Sequence, residues 1–279
     1  MKRQFIKTLL AGTALVLLPA MPAAAQSLED LQAQLASLIE KVEKLEVSQA
    51  TKAAKTSVVK KAEPAFSLAT QDGLFEFNLR GRLYADYINV SDKDNTQDIS
   101  ATEFRTARLG IEGTAWKSVK YKFEADFAGN EVTVKDAYMQ FKTSFGNIAA
   151  GQFKTPNSLD EQTSSRHITF MERGSFTDAF SFARQMGIMW SDAGKNWTAK
   201  VGVFKGAMGD DGQGNLTLAA RTTYGNNFQG GKWIIGSSIR YRETDGQMRY
   251  RQRPHVHISD RFVNTGNIGN GKDLFFGLE

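Results

Sequence analysis

The sequence predicts an all-β protein, an antiparallel transmembrane β-barrel, preceded by a short N-terminal α-helical coiled coil. Three observations carry that expectation: a removable leader, a heptad stretch behind it, and a long series of segments in which apolar and polar residues alternate. The 279 residues include 25 Gly, 5 Pro and no Cys, and 41% are hydrophobic, which excludes collagen, a disulfide scaffold and a low-complexity tail. Without Cys there is no thiolate nucleophile, Cys-ligated zinc or iron–sulfur cluster.

The leader has a basic start (Lys2, Arg3, Lys7), an apolar run from Leu9 to Leu18, Pro19, and Ala23-Ala24-Ala25 ahead of Gln26. That pattern predicts a secretory signal peptide over residues 1–25. An uncleaved anchor is the alternative, but about ten apolar residues fall short of the roughly 20 that span a bilayer as a helix. Removing the leader takes Lys+Arg from 35 to 32 against 30 Asp+Glu, a net +2 that makes no case for nucleic acid. No later stretch is as long and free of charge, so a mature chain that enters a membrane must do so as a closed sheet.

Residues 26–47 form the predicted periplasmic coiled coil, with Leu28, Leu35 and Val42 at a and Leu31, Leu38 and Leu45 at d. Ser27 with Asp30 supplies an N-cap of the capping-box type, and Glu40, Lys41, Glu43 and Lys44 keep the outer face polar. A single amphipathic helix lying on another surface has the same pattern. Residues 48–72, rich in Lys, Ala and Ser early on, read as a linker.

From residue 73 the period becomes 2, and residues 73–279 are expected to form the barrel. Phe75, Phe77, Leu79, Gly81, Leu83, Ala85 and Tyr87 share one face, while Glu76, Asn78, Arg80, Arg82, Tyr84 and Asp86 share the other. The alternation recurs around 106–113, 121–127, 136–141, 147–154, 184–191, 196–206, 216–224, 232–242, 247–257 and 273–279, about eleven strands in all. A soluble sandwich alternates too. Export, strands of roughly ten residues, aromatics near strand ends, and short turns alternating with longer polar loops favour a barrel whose apolar face meets lipid.

Several stretches carry a resemblance. These are Leu79–Tyr87 (LRGRLYADY), Phe104–Ala115 (FRTARLGIEGTA), Tyr121–Phe127 (YKFEADF), Asp136-Ala137-Tyr138, Gly151–Lys154 (GQFK) and Thr163–Arg173 (TSSRHITFMER). Their order and spacing, from about residue 73 to the end, resemble the phosphate-selective porin (porin O/P) family, as do Arg253-Pro254 and Thr265-Gly266. The resemblance implies a homotrimer of sixteen-stranded barrels in the outer membrane, a third long loop folded into each pore, and passive diffusion of small anions such as phosphate. It also implies contact with outer-membrane lipid and lipopolysaccharide.

By that resemblance Arg82 and Arg105 match two anion-binding arginines of the first strands, and Lys120 a basic position of the inner vestibule. Thr106 stands where strongly selective members have a second arginine. Glu161, within the constriction-loop segment that holds Asp160, Glu161 and Arg166, stands where they have a lysine. A carboxylate at a narrow point reverses the local field, which weighs against high-affinity phosphate binding.

Read from parity alone, Arg80, Arg82, Arg108 and Lys122 lie on the polar face together with Glu76, Asp86, Glu112, Glu124 and Asp126, so the local tally is not basic. They are either pore-lining anion contacts or ion pairs that brace the wall. Arg105 has the parity of the lipid face, so it sits above the membrane or a bulge re-aims it. Arg240, Arg242, Arg249, Arg251 and Arg253 form a second basic ladder or an outer rim, the rim being preferred.

His255-Val256-His257 places two imidazoles on one face of an expected strand with no clear third metal ligand, and Gly209–Asn215 reads as a loop without calcium-site spacing. No cofactor, metal or enzymatic activity is expected, since no nucleophile or phosphate-loop pattern stands out. The main alternative function is a structural anchor that tethers the envelope through the coiled coil. The odd strand count and the ending at Phe275-Phe276-Gly277-Leu278-Glu279 predict a truncated chain.

Overall fold

The computed structural model describes residues 28–54, 58–60, 66–91, 93, 98–208, 215–245 and 248–279. The expected signal peptide and residues 209–214 of the glycine-rich loop lie outside the described residues. The chain divides into two units, Met1–Lys55 and Thr56–Glu279.

In the first unit, helix α1 (Leu28–Ala54) runs past the boundary at residue 47 set by the heptads. Glu40 and Lys44, one turn apart, form an ion pair of 2.6 Å. Leu35, Leu38, Val42 and Leu45 form a stripe that is exposed along its whole length. No described helix is long and apolar enough to cross a membrane.

The second unit is mostly antiparallel β-sheet. Within the expected linker lie two short strands, β1 (Val58–Lys60) and β2 (Ser67–Ala69). The long strands follow: β3 (Phe75–Val90), β4 (Ile99–Ala115), β5 (Val119–Asp126), β6 (Thr133–Thr143) and β7 (Gly146–Lys154). After a long loop come β8 (Arg184–Ala193), β9 (Trp197–Phe204), β10 (Leu216–Phe228) and β11 (Gly231–Thr244). A second long loop carries β12 (Arg251–Gln252) and β13 (Val263–Asn264) before β14 (Gly271–Leu278).

Strands β1 to β11 pair in sequence order and β14 joins β11, giving a twelve-stranded sheet with β1 and β14 at its edges. The strand expected over 247–257 does not form among its described residues, 248–257. Only its residues Arg251 and Gln252 are extended, and they pair with β13 in a separate two-stranded ribbon. The arginine-rich stretch with Pro254 serves the loop rather than the sheet, since Pro cannot donate to a ladder.

Connections alternate in length. The segments 116–118, 144–145, 194–196 and 229–230 are short turns at one end, whereas 91–98, 127–132, 155–183, 205–215 and 245–270 are longer and lie at the other. Large aromatics gather beside the short turns: Trp116, Phe145, Trp197, Phe228 and Trp233 are all exposed. Trp116 meets the Phe75 ring edge-on at 5.6 Å, and Tyr224 meets Trp233 at 5.7 Å.

Burial inverts the soluble pattern. Leu83 is 63% exposed and Tyr87 69%, whereas Glu124 on the opposite face is only 3% exposed. The sheet shows its apolar face outward and covers its charged face. A small apolar cluster of Ala149, Phe153, Phe204 and Ala219, with Tyr138 and Met189 packed around it, is the only such core among the described residues.

Gly113 shows how tightly neighbouring strands meet. The Tyr121 hydroxyl donates to the Glu76 carbonyl across this position at 2.9 Å, and a Cβ on Gly113 would collide with that carbonyl oxygen. Gly113→Val is expected to force β3 and β4 apart locally and to destabilise the sheet by about 1–3 kcal/mol. A lowered unfolding temperature in detergent measures it, and an unchanged one refutes it.

Candidate functional site

The covered polar face is built from inward positions of neighbouring strands. Register sets Arg82 beside Arg108, Arg108 beside Asp126, and Glu112 beside Lys122. Alternation then fills the space between them with bonded charges. Arg80 pairs with Glu112, and Arg82 donates to Glu124 at 3.1 Å. Arg108 reaches both Glu124 at 3.2 Å and Asp126 at 2.7 Å. Asp136 accepts from Lys122 at 2.6 Å and from Arg184 at 2.6 Å. Each of these carboxylates holds at least one cation in place, so the wall is braced and pre-aimed at once.

Two β-bulges add cations that strict alternation points away from this face. Opposite Tyr84 and Ala85 the partner jumps from Thr106 to Phe104, so Arg105 is an extra residue on β4. Arg105 thereby turns onto the polar side, where it meets Asp86 at 2.6 Å and lies 5.3 Å above the Tyr84 ring. The second bulge lies opposite Glu124 and Ala125, where the partner jumps from Asp136 to Val134 and leaves Lys135 as the extra residue on β6. Lys135 lies 3.9 Å from Asp126.

The loop 155–183 folds over this face. Its first turn is helix α2 (Leu159–Gln162), N-capped by Ser158, whose hydroxyl accepts from the Glu161 amide at 3.1 Å. Helix α3 (Ser175–Ala179) follows. The loop touches strands on both sides of the sheet: Ser165 accepts from Arg82 at 2.7 Å, the Met171 carbonyl from Arg105 at 2.6 Å, Gln162 from Lys200 at 3.0 Å, and the Phe180 carbonyl from Arg240 at 2.8 Å.

Between loop and sheet lies a cavity of about 660 Å³. Ten lysine and arginine side chains line it against four carboxylates, Asp126, Asp136, Glu161 and Glu172. Glu112 and Glu124, bonded behind the lining, still leave cations in excess. Arg166 differs from the other nine. It sits in the turn closed by the His167 amide on the Ser164 carbonyl, is exposed, and makes no ion pair among the described residues. Burial pushes the Glu172 carboxyl of the same loop above its ordinary pKa, against the pull of Arg105.

Residues 77–279 match the protein family described as phosphate-selective porin O and P. The chain belongs to this family. Porin O of Pseudomonas aeruginosa is 33% identical over 126 residues, which are 42% of this chain and 28% of that protein. An uncharacterized protein of Caulobacter vibrioides is 29% identical over 243 residues, 80% of this chain and 48% of that protein. The chain thus spans about half the length of one curated relative and less of the other.

Within this porin-family chain the geometry revises several expectations. The local tally is basic, because the parity count stopped at the first three long strands and left out Lys135 of β6, Lys154 of β7, Arg173 of the loop and Arg184 of β8. Glu161 does not present a bare charge: it is buried, with Lys154 at 3.3 Å and Arg173 at 3.5 Å, so the field reversal expected from it is cancelled where it arises. Asp160 likewise faces Arg173 at 3.9 Å and accepts from the Gly174 amide at 2.7 Å. Lys120 shares its parity with Lys122 but lies beside the 116–118 turn, exposed and outside the cavity lining.

The second arginine set is split. Arg240 is 3% exposed, under the loop, with its guanidinium 4.9 Å from the Phe182 ring, and Arg242 pairs with Asp273. Neither forms the preferred outer rim. Arg249, Arg251 and Arg253 lie in the loop between β11 and β14. His255 and His257 do not share a strand face: His255 meets Ser175 at 2.9 Å, while His257 meets Glu103 at 2.9 Å. Among the described residues no cluster of His, Asp and Glu is arranged to hold a metal.

Proposed function

We propose that this chain forms part of the wall of an outer-membrane pore through which small anions, phosphate among them, diffuse passively. The excess of cations lining a water-accessible cavity under an inward loop is the observation that carries it. An ion moving along such a surface exchanges hydration for guanidinium and ammonium contacts, and closely spaced contacts let it pass from one to the next. Nine of these cations are already balanced in part by carboxylates, which keeps binding weak enough for release. Arg166, without such a partner, supplies the primary contact.

The exposed apolar face and the aromatic belt beside the short turns support membrane insertion with those turns at the periplasmic end. The two sheet edges are paired within a closed barrel, sixteen-stranded on the family plan, since open edges are not tolerated in lipid. The stripe on α1 assembles with those of two further copies as a periplasmic coiled coil of the trimer. Lipopolysaccharide surrounds the outer end.

The test is single-channel recording of the intact protein in planar bilayers under a salt gradient. Reversal potentials are expected to favour anions. Arg166→Ala should lower anion-over-cation permeability about threefold, the loss of about 0.7 kcal/mol from one exposed charge. Absence of channels removes the pore, and cation-biased reversal potentials remove the anion preference.

A further inference from the structure

Residues 248–270, which precede β14, pack against the loop 155–183 and reach as far as β4. Three sets of contacts hold them there. The Arg253 amide donates to Asp178 at 3.2 Å, and the Arg261 guanidinium pairs with the same carboxylate at 3.2 Å. The His255 imidazole meets the Ser175 hydroxyl, and the Tyr250 ring packs edge-on against Phe180 at 6.0 Å. The outermost contact reaches β4: Nδ1 of His257 lies 2.9 Å from Oε2 of Glu103.

That last contact has features of a fastening. Glu103 is largely covered, and its second oxygen, Oε1, is buried with no hydrogen-bond partner among the described residues. The carboxylate therefore leans on the imidazole for the bond it does make. His255 is held at φ +59, in the left-handed region that non-glycine residues rarely occupy, so the backbone is bent specifically where the strap descends toward β4. Beneath the strap lies a cavity of about 430 Å³ that both imidazoles line.

We propose that residues 248–270 form a pH-sensitive strap over the pore mouth, fastened to β4 by the His257–Glu103 pair. The inference rests on the pore reading above and adds a closing device to it. The groups that face His257 are Glu103 and Arg105 from β4, with Asp86 of β3 behind Arg105, and Glu172 and Arg173 from the loop beneath. Those near His255 are Ser175, Asp178, Arg251 and Arg253.

The sign follows from the pair. A charged imidazolium opposite a carboxylate makes a charge-assisted bond, and a neutral imidazole makes only an ordinary one. A proton on the imidazole therefore tightens the strap. Alkali loosens it. The difference between the two kinds of bond corresponds to about a fivefold change in the closed-to-open ratio.

The experiment is conductance of the intact protein in planar bilayers at pH about 5 and about 8. Conductance is expected to fall at the acidic pH with more frequent closures. His257→Ala and Glu103→Gln should each abolish that dependence while the open-channel conductance at pH about 8 stays unchanged. Channels whose conductance keeps its pH dependence in both variants, or that show none in the native protein, overturn the strap and leave the pore standing. Absence of channels overturns the pore itself.

Discussion

Glu161→Ala is expected to loosen the loop 155–183 and raise single-channel conductance, with frequent current fluctuations between substates. Glu161 is 6% exposed and meets Lys154 at 3.3 Å and Arg173 at 3.5 Å, so its carboxylate ties the end of β7 to the far limb of the loop. Removing one partner from a buried pair costs about 3–5 kcal/mol, and the partly exposed cations here place the cost near about 2–3 kcal/mol. Lys154 also donates to the Glu161 carbonyl, a bond the substitution leaves available, so the loop is freed rather than unfolded. Glu161→Gln keeps the shape without the charge and should show a smaller change in the same direction. Thermal unfolding in detergent and single-channel noise are the measurements, and unchanged values for the alanine variant would falsify the clasp.

Arg82→Glu should turn the channel toward cations. Arg82 donates to Ser165 at 2.7 Å and to Glu124 at 3.1 Å, so it holds the loop tip and balances a carboxylate that is only 3% exposed. Reversal changes the lining by two charges, each worth about 1 kcal/mol at contact distance in water, and sets Glu124 beside a second carboxylate. Anion-over-cation permeability is expected to fall by at least about tenfold, the equivalent of about 1.4 kcal/mol. Arg82→Lys, which keeps charge but loses the planar fork, should lose far less selectivity. Equal effects of Glu and Lys at this position would show that geometry rather than field sets the preference.

The heptads of α1 and the period-2 alternation of the long strands were readable from the residues because each reflects one local geometry repeated. The rest depends on breaks in the repeat, and the odd parity of Arg105 signals one of them, a bulge being one of its two readings, whereas nothing in the parity singles out Lys135. The adjacent polar residues Arg105-Thr106 and Lys135-Asp136 interrupt their strands, and the structure shows an extra residue at each break. A pair of neighbouring polar residues inside an otherwise alternating strand was the available signal. Lys154 and Arg173 meet Glu161 only because the loop doubles back, a tertiary contact with no local period. For the same reason the opposite charges near Glu161 were invisible, and the carboxylate looked isolated. The segment 247–257 failed differently: its alternating arginines imitate a strand, while Pro254 and the bend at His255 commit it to a loop.

The bracing of the cavity divides labour between scaffold and tip. Nine guanidinium and ammonium groups are pinned by carboxylates in the sheet and loop, so altering any of them disturbs a shared lattice of bonds. Arg166 projects from a four-residue turn anchored through the neighbouring Ser165. One codon at that tip is therefore open to change at little structural risk. If the proposed pore holds, a lineage carrying this architecture has a simple way to trade one solute for another while its electrostatic backdrop stays fixed.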